Sequence, residues 1–283
     1  MGLGPALRVR FWGVRGSIAC AGRSYDRYGG NTSCVEIFAH GERLIFDAGT
    51  GIRPLGDRIN GHGRDPIDLF LSHTHIDHIV GLPFFAPVYN RERTIRIWSG
   101  HMSDAGGACR ALETLMSPPI FPVDPKIFAA TMEYRNFNAG ETLTPHEGVT
   151  IRTGALNHPN GATGFRVEAG RRAVAYITDT EQRPGSGPDA GIVALCEKAD
   201  LVIYDTSYTD AEYGEKAGWG HSTWREGIAI AQAAGARTLA LFHHDPAHDD
   251  RAMDRILRDA RREGRRMGVR VIAAREGLSL SYR

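Results

Sequence analysis

Four side chains that can bind metal ions lie within six consecutive positions of the sequence. They are His73, His75, Asp77 and His78, directly after the apolar run 67–71. Imidazole nitrogen binds zinc and similar first-row ions, and carboxylate oxygen accepts several divalent ions. A single ion would not need all of these side chains, so the spacing favours a pair of metal ions. A polar turn with chance histidines is the simpler interpretation, but few unrelated loops match this pattern.

The pattern His-x-His-x-Asp-His at 73–78 resembles the signature of the metallo-β-lactamase superfamily, and the chain matches it in full. The resemblance implies an α+β fold, a four-layer αββα sandwich in which two mixed β-sheets are flanked by helices. It also implies later ligands that follow strands, and the chain offers His158, Asp179 and a final histidine. Each of these alone would be an ordinary surface histidine or turn aspartate, so their order along the chain supports the assignment.

The resemblance divides the ligands between two divalent ions. It assigns them as His73, His75 and His158 to one ion, Asp77, His78 and His243 to the other, and Asp179 as the bridge. In the family, the aspartate that corresponds to Asp47 supports the metal loop through hydrogen bonds without binding metal. The last ligand is ambiguous because His243 and His244 are adjacent. Neighbouring strand residues point to opposite faces, and the family pattern favours His243.

Zinc is the expected ion, and manganese and iron stay open because the ligand types exclude neither. In the branch of the superfamily with diiron redox chemistry, the second histidine of the pattern is typically glutamate. This chain has His75 there. Reduction of oxygen or nitric oxide is therefore not favoured.

The sequence Gly220-His221-Ser222-Thr223, followed by a predicted helix and a strand that ends near His243, is similar to a block of ribonuclease Z and its relatives. The resemblance implies that His221 reaches the scissile phosphate and assists the leaving oxygen. It therefore implies Asp77, Asp179 and His221 as the catalytic residues. The alternative is helix capping by Ser222 or Thr223 with His221 merely adjacent. Both can hold, since a helix N-terminus also favours an anionic phosphate.

Only 20 residues, 159–178, separate His158 from Asp179, which is enough for one hairpin. The arm that grips transfer RNA in ribonuclease Z is inserted in this interval, so we expect it to be missing. The formal charge of +1 offers no compensating basic surface. The expected activity is that of a phosphodiesterase for a small or cyclic phosphodiester, similar to the cyclic phosphodiesterases of phosphonate breakdown. A hydroxide that bridges two metal ions would attack phosphorus, and tRNA is not an expected partner.

Two other functions stay open at this level. One is hydrolysis of a carboxylic ester, thioester or lactone on the same metal pair, for which His221 would be dispensable. The other is a non-catalytic, metal-dependent sensor. Substrate contacts are expected from Arg15, whose guanidinium could pair with a phosphate, and from Asn31 and His244. For the glycine-rich segment around Arg15, a turn-rich connection between strands is the equally simple interpretation.

Apolar periodicity predicts the elements that must position these residues. The predicted strands are 7–12, 34–38, 43–46, 67–71, 95–98, 149–155, 163–168, 173–177, 201–204 and 238–242. The predicted helices are 104–116, 188–198, 221–234 and 248–266. Strands in the middle with helices between and after them indicate a layered α/β or α+β domain.

Composition sets the remaining expectations. The 283 residues are 42% hydrophobic and no linker divides them, so we predict one domain over 1–283. The segment 84–138, rich in proline and poor in clear strands, is predicted to be a cap-like insertion. The lack of a leader-like N-terminus or a long apolar run predicts a cytoplasmic protein without a membrane partner. A homodimer is possible because dimers are common in the superfamily.

Overall fold

The computed structural model describes residues 6–60, 65–102, 106–182 and 185–283. Two seven-stranded mixed sheets pack face to face, with helices on both outer faces. The four-layer αββα sandwich expected from the resemblance is confirmed. Residues 1–5, on which the expectation of no leader depends, lie outside the described residues.

The described residues form fourteen strands. They are β1 (Leu7–Gly13), β2 (Cys34–Ala39), β3 (Glu42–Phe46), β4 (Ile67–Leu71), β5 (Thr94–Ser99), β6 (Thr131–Asn136), β7 (Thr142–His146), β8 (Val149–Leu156), β9 (Ala162–Ala169), β10 (Arg172–Ile177), β11 (Leu201–Asp205), β12 (Thr238–Phe242), β13 (Arg270–Ala273) and β14 (Ser279–Tyr282). The first sheet has the order β14-β1-β2-β3-β4-β5-β6, and the second has the order β13-β12-β11-β10-β9-β8-β7.

Seven α-helices are present in the described residues. They are α1 (Ile52–Ile59), α2 (Ile76–Ile79), α3 (Gly107–Leu115), α4 (Ala190–Cys196), α5 (Asp210–Lys216), α6 (Trp224–Ala233) and α7 (Asp250–Arg266). Helices α1 and α3 bury their apolar faces against the first sheet. Helices α4, α6 and α7 do the same against the second sheet. No helix in the described part of the chain is long and apolar enough to cross a membrane.

Each sheet is parallel in one half and antiparallel in the other. Strands β3 to β6 run parallel in the first sheet, and β10 to β13 run parallel in the second. Strands β4, β11 and β12 are buried along their whole length, which explains why they are almost continuous apolar runs in the sequence. The carboxyl ends of parallel strands in α/β sheets are the usual location of binding sites.

Aromatic side chains fill the space between the two sheets. Phe165 of β9 is fully buried, and its ring centroid lies 5.3 Å from that of Phe46, 6.0 Å from that of Phe70 and 6.2 Å from that of Phe137. These distances are typical of favourable edge-to-face aromatic contacts. Phe165 thus joins the second sheet to β3 and β4, the strands that lead into the metal-binding pattern.

The prediction of a cap-like insertion over 84–138 needs correction. This segment supplies β5 and β6, which extend the first sheet, and α3, which packs on them. The strand β6 was missed because it lies at the edge of the sheet and is largely exposed, so its sequence has no apolar run. The edge strands β7 and β14 were missed for the same reason.

We expect Phe165→Ala to lower the free energy of unfolding by about 3–5 kcal/mol, because it leaves a cavity between the sheets. Phe84→Ala is the matched control, since the Phe84 side chain is 54% exposed; it should cost less than about 1 kcal/mol. Urea denaturation measures both. Equal losses would show that the contact between the sheets does not depend on Phe165.

Candidate dinuclear metal centre

The seven side chains expected to bind metal form two groups, and within each group the ligand atoms lie within 4.8 Å of one another. The first group is His73, His75 and His158, and the second is Asp77, His78, Asp179 and His243. They come from the loop and short helix α2 after β4, and from the turns after β8, β10 and β12. Strand ends from both sheets therefore converge on one place.

Asp179 lies between the two groups. Its Oδ1 is 3.2 Å from His78 Nε2 and 3.3 Å from His243 Nε2. Its Oδ2 is 3.6 Å from both His73 Nε2 and His158 Nε2. One carboxylate oxygen thus faces each group, which is the geometry that a bridging ligand needs. Burial alone would raise the pKa of Asp179, but the surrounding imidazoles hold that pKa well below its usual value.

Hydrogen bonds leave the Nε2 atoms of three histidines for metal binding. His158 Nδ1 donates to the carbonyl of Gly220 at 2.8 Å. Ser72 Oγ donates to Asp47, so its oxygen accepts from His73 Nδ1 at 3.0 Å. Ser207 Oγ lies 3.0 Å from His243 Nδ1 and can likewise accept a hydrogen bond from it. A proton held on Nδ1 leaves the lone pair on Nε2.

Asp47 organises the loop from within the core. Its Oδ1 accepts the backbone N–H of Ser72 at 2.7 Å. Its Oδ2 lies 2.8 Å from His78 Nδ1 and accepts the hydroxyl of Tyr176 at 2.7 Å. All of these partners are buried donors, and a carboxylate is the side chain that accepts from all of them. Asp47 therefore orients His78 without facing the metal groups itself.

The residues fit a pair of divalent ions. His73 Nε2 is buried and has no hydrogen-bond partner within the described residues, as expected for an atom that binds a metal ion. His158 Nε2 and His75 Nδ1 face each other at 2.9 Å. Burial lowers the pKa of all three of these histidines and so favours the neutral imidazole, which is the form that binds metal.

Three site residues have a strained backbone. Asp47, Asp179 and His243 have φ values of 60°, 51° and 60°, in the left-handed region that residues other than glycine rarely adopt. Each follows the end of a strand, where the chain turns. Such strain persists only where the surrounding structure enforces it, and it is common at functional sites.

Two glycines allow the backbone to approach the ligands closely. A Cβ atom on Gly16 would lie 2.3 Å from the imidazole of His243, and one on Gly220 would lie 2.3 Å from that of His158. The glycine-rich character of the segment around Arg15 is thus explained in part by packing against His243, an expected ligand. The backbone N–H of Ser17 in that segment donates to Asp77 Oδ2 at 2.8 Å.

His221 lies beside the second group. Its ring stacks on that of His243 with centroids 4.8 Å apart, and its Nδ1 is 2.9 Å from Asp205 Oδ2. Burial lowers the pKa of His221, but the Asp205 carboxylate outweighs this effect and raises the pKa to about 9. Sequence reasoning missed Asp205. Its position at the end of the apolar strand β11 was the available signal, since Asp179 and His243 follow neighbouring strands in the same way.

The three expected substrate contacts have other partners. The guanidinium of Arg15 is fully buried and donates to the carbonyls of Gly29 and His248. Asn31 donates to Glu276 through both its backbone and its side chain. The imidazole of His244 is buried, with its Nε2 2.9 Å from the carbonyl of Ala274, whereas that of His243 lies in the metal group. The structure therefore does not bring Arg15 and His244 to the surface of the site.

Comparison with known proteins agrees with this geometry. Residues 42–244 match the model of the beta-lactamase superfamily domain. The chain belongs to this superfamily. The match spans Asp47 and all seven expected ligands, and we therefore assign the protein to the metal-dependent hydrolases of the superfamily.

Individual relatives are distant. A protein named ribonuclease Z from Haloarcula marismortui is 26% identical, with 84% of this chain and 86% of that protein covered. Among solved structures, the metallo-beta-lactamase fold protein YhfI from Bacillus subtilis has a TM-score of 0.71 at 22% identity, with 98% of this chain and 99% of that one covered. A protein described as a new diphosphatase from the PhnP family has a TM-score of 0.69 at 17% identity, with 98% of each chain covered. These structures support the fold.

We expect Asp47→Asn to weaken metal binding by about 10- to 100-fold, because an amide NH₂ would face buried donors and His78 would lose its acceptor. Metal analysis after dialysis against a weak chelator measures this loss. Asp57→Asn, at an exposed position of α1, is the control and should retain both ions. Full metal content in Asp47→Asn would remove Asp47 from the supporting role.

Gly16→Ala should lower the metal content toward one ion per chain, because the new methyl group displaces the ring of His243. Gly214→Ala is the matched control, since a Cβ at that position meets nothing within 4 Å. Two ions bound to Gly16→Ala with unchanged affinity would show that His243 does not depend on this close approach.

Proposed function

We propose that the protein is a dinuclear zinc phosphodiesterase that hydrolyses a small or cyclic phosphodiester. The observation that carries this proposal is the pair of His221 and Asp205 beside Asp179 and His243. An alkoxide that leaves phosphorus needs a proton, and a buried imidazole held by a carboxylate is a suitable donor. Zinc is proposed because imidazoles dominate the ligand set.

The side chains of the site have distinct roles in the proposed reaction. Two divalent ions would supply Lewis acidity and an acidified water molecule. Asp77, Asp179 and the ligand histidines fix the spacing of the two metal positions. His221 donates its Nδ1–H to Asp205, so the second proton of its imidazolium sits on Nε2. That nitrogen makes no hydrogen bond within the described residues, and it is free to pass its proton to the leaving oxygen.

Helix capping does not compete with this role. Thr223 is the N-cap of α6, and it forms a capping box with Glu226. Ser222 donates its hydroxyl to the carbonyl of Thr180, next to Asp179. The two anchored residues directly follow His221, and the side chain of His221 itself takes no part in the cap.

The restriction to small substrates is supported by the interval between His158 and Asp179. The hairpin of β9 and β10 fills it, joined by a tight turn at Gly170. The interval lies wholly within the described residues and contains no strand or helix besides this hairpin that could serve as an RNA-binding arm, and the formal charge is only +1. The curated relatives named ribonuclease Z make precursor tRNA the competing substrate, so it belongs in the test.

A hydrolysis panel on the zinc-loaded protein tests the proposal. It contains bis-p-nitrophenyl phosphate, 2′,3′-cyclic AMP, a precursor tRNA, a lactone and a thioester. We expect turnover of the first two compounds only. Specific 3′ cleavage of the tRNA would assign the ribonuclease activity instead, and preference for the lactone or thioester would move the protein to carboxylic ester chemistry. No turnover of any compound with two ions bound would favour the sensor.

His221→Ala should retain both ions and lower kcat by about 100- to 10,000-fold on diesters with an alkoxide leaving group, because the proton donor is lost. Since p-nitrophenolate leaves without a proton, the loss on bis-p-nitrophenyl phosphate should be about tenfold or less. Steady-state kinetics on the two substrate types measure the difference. An equal loss on both would contradict proton donation by His221.

A further inference from the structure

An exposed tryptophan, Trp219, lies close in sequence to the proposed catalytic residue His221 and has no role in the proposed chemistry. The side chain of Trp219 is 57% exposed, although it lies two positions before His221. It is flanked by Gly218 and Gly220, whose φ values of 87° and 86° lie in the left-handed region that glycine adopts without strain. The chain therefore forms a glycine-tryptophan-glycine arch over 218–220.

This arch is held firmly by Glu181. The carboxylate of Glu181 accepts the backbone N–H groups of Gly218 and Gly220 at 2.7 and 2.8 Å. It also accepts the hydroxyl of Tyr213 at 2.7 Å. Glu181 is buried and lies two positions after Asp179, so it joins the arch to the turn that carries the bridging carboxylate. The backbone on both sides of Trp219 is thus anchored to the turn that follows Asp179.

The arch also touches a metal ligand. The carbonyl of Gly220 accepts the Nδ1–H of His158 at 2.8 Å, and the backbone there is so close that a Cβ atom would overlap the imidazole. The indole of Trp219 is therefore attached directly to a residue that contacts the first metal group. The backbone thus connects Trp219 to the first metal group through Gly220 and His158.

The positively charged side chain of Lys216 lies over the ring of Trp219. Lys216 Nζ lies 4.2 Å from the centroid of the Trp219 ring and 5.9 Å from that of Tyr208. The ring of Tyr208 in turn meets that of His221 edge-on at 5.9 Å. An exposed aromatic face together with an ammonium group suits a ligand that has both a ring and an anionic phosphate. Stacking on an aromatic side chain accepts any base or aryl group.

We propose that Trp219, supported by Lys216, is a substrate-binding residue that stacks on the ring of an aryl- or nucleobase-bearing phosphodiester. The inference deepens the proposed function and rests on it for the identity of the bond that is cleaved. The binding of the ring itself depends only on the arch. Stacking on Trp219 favours phosphodiesters with an aromatic group over those without one.

The test compares Trp219→Ala and Trp219→Phe with the wild type on 2′,3′-cyclic AMP and on glycerophosphoglycerol, which has no ring. For Trp219→Ala we expect kcat/KM on the cyclic nucleotide to fall about tenfold, mainly through KM, because stacking is lost. The value on glycerophosphoglycerol should stay within about twofold, since that substrate has no group to stack. Trp219→Phe should retain most of the preference for the nucleotide.

Ile127→Ala is the control for exposed apolar surface. Ile127 is 49% exposed, and it precedes the amino end of β6, at the edge of the first sheet opposite the metal centre. It should change neither kcat/KM value. An equal loss on both substrates in Trp219→Ala, or no loss on either, would overturn the proposal.

Calorimetric titration separates this inference from the proposed function. AMP and glycerol 3-phosphate are titrated into the zinc-loaded wild type and Trp219→Ala. Selective weakening of AMP binding by about tenfold in the variant supports the stacking role, even if the wild type hydrolyses no diester. If the wild type is an active diesterase but binds AMP as well without Trp219 as with it, the proposed function stands and the stacking role fails.

Discussion

The placement of one buried carboxylate, that of Asp179, is the constraint on which the site depends. Its two oxygens face different groups of histidines, so side chains that follow β4, β8, β10 and β12 must meet within a few ångströms. Those strands belong to both sheets. The face-to-face packing of the sandwich is therefore a condition for the metal pair, and the aromatic layer around Phe165 serves the site as well as the stability of the fold.

The fold stabilises an arrangement that isolated residues would avoid. Asp47, Asp179 and His243 adopt left-handed backbone conformations, each of which costs about 1–3 kcal/mol. The buried carboxylates lose their hydration and regain partners from imidazoles, hydroxyls and backbone N–H groups. Ser72 and Ser207 extend these networks to His73 and His243. The expected ligands are thus oriented by the protein itself, which lowers the cost of metal binding.

The sequence predicted the parts of the site whose spacing is local. The pattern at 73–78 is contiguous, and the resemblance that it carries indicated His158, Asp179 and His243, which the structure brings next to it. Contacts made only by tertiary packing have no such pattern, as with Tyr176 beneath Asp47 and the burial of Arg15. For Asp205, the signal was limited to its position at the end of an apolar strand. Buried strands were predicted from apolar runs, whereas edge strands such as β6 and helix α1, which contains Pro54 and Gly56, lack a clear pattern.

Anomalous diffraction at the zinc absorption edge from crystals of the zinc-loaded protein tests the central claim most directly. The account predicts two peaks about 3.5–4 Å apart, one next to each oxygen of Asp179 and each within bonding distance of its own group of histidines. Asp205 and His221 are predicted to hold no ion and to keep their mutual hydrogen bond. A single peak, or an ion held by Asp205 and His221, would contradict the account.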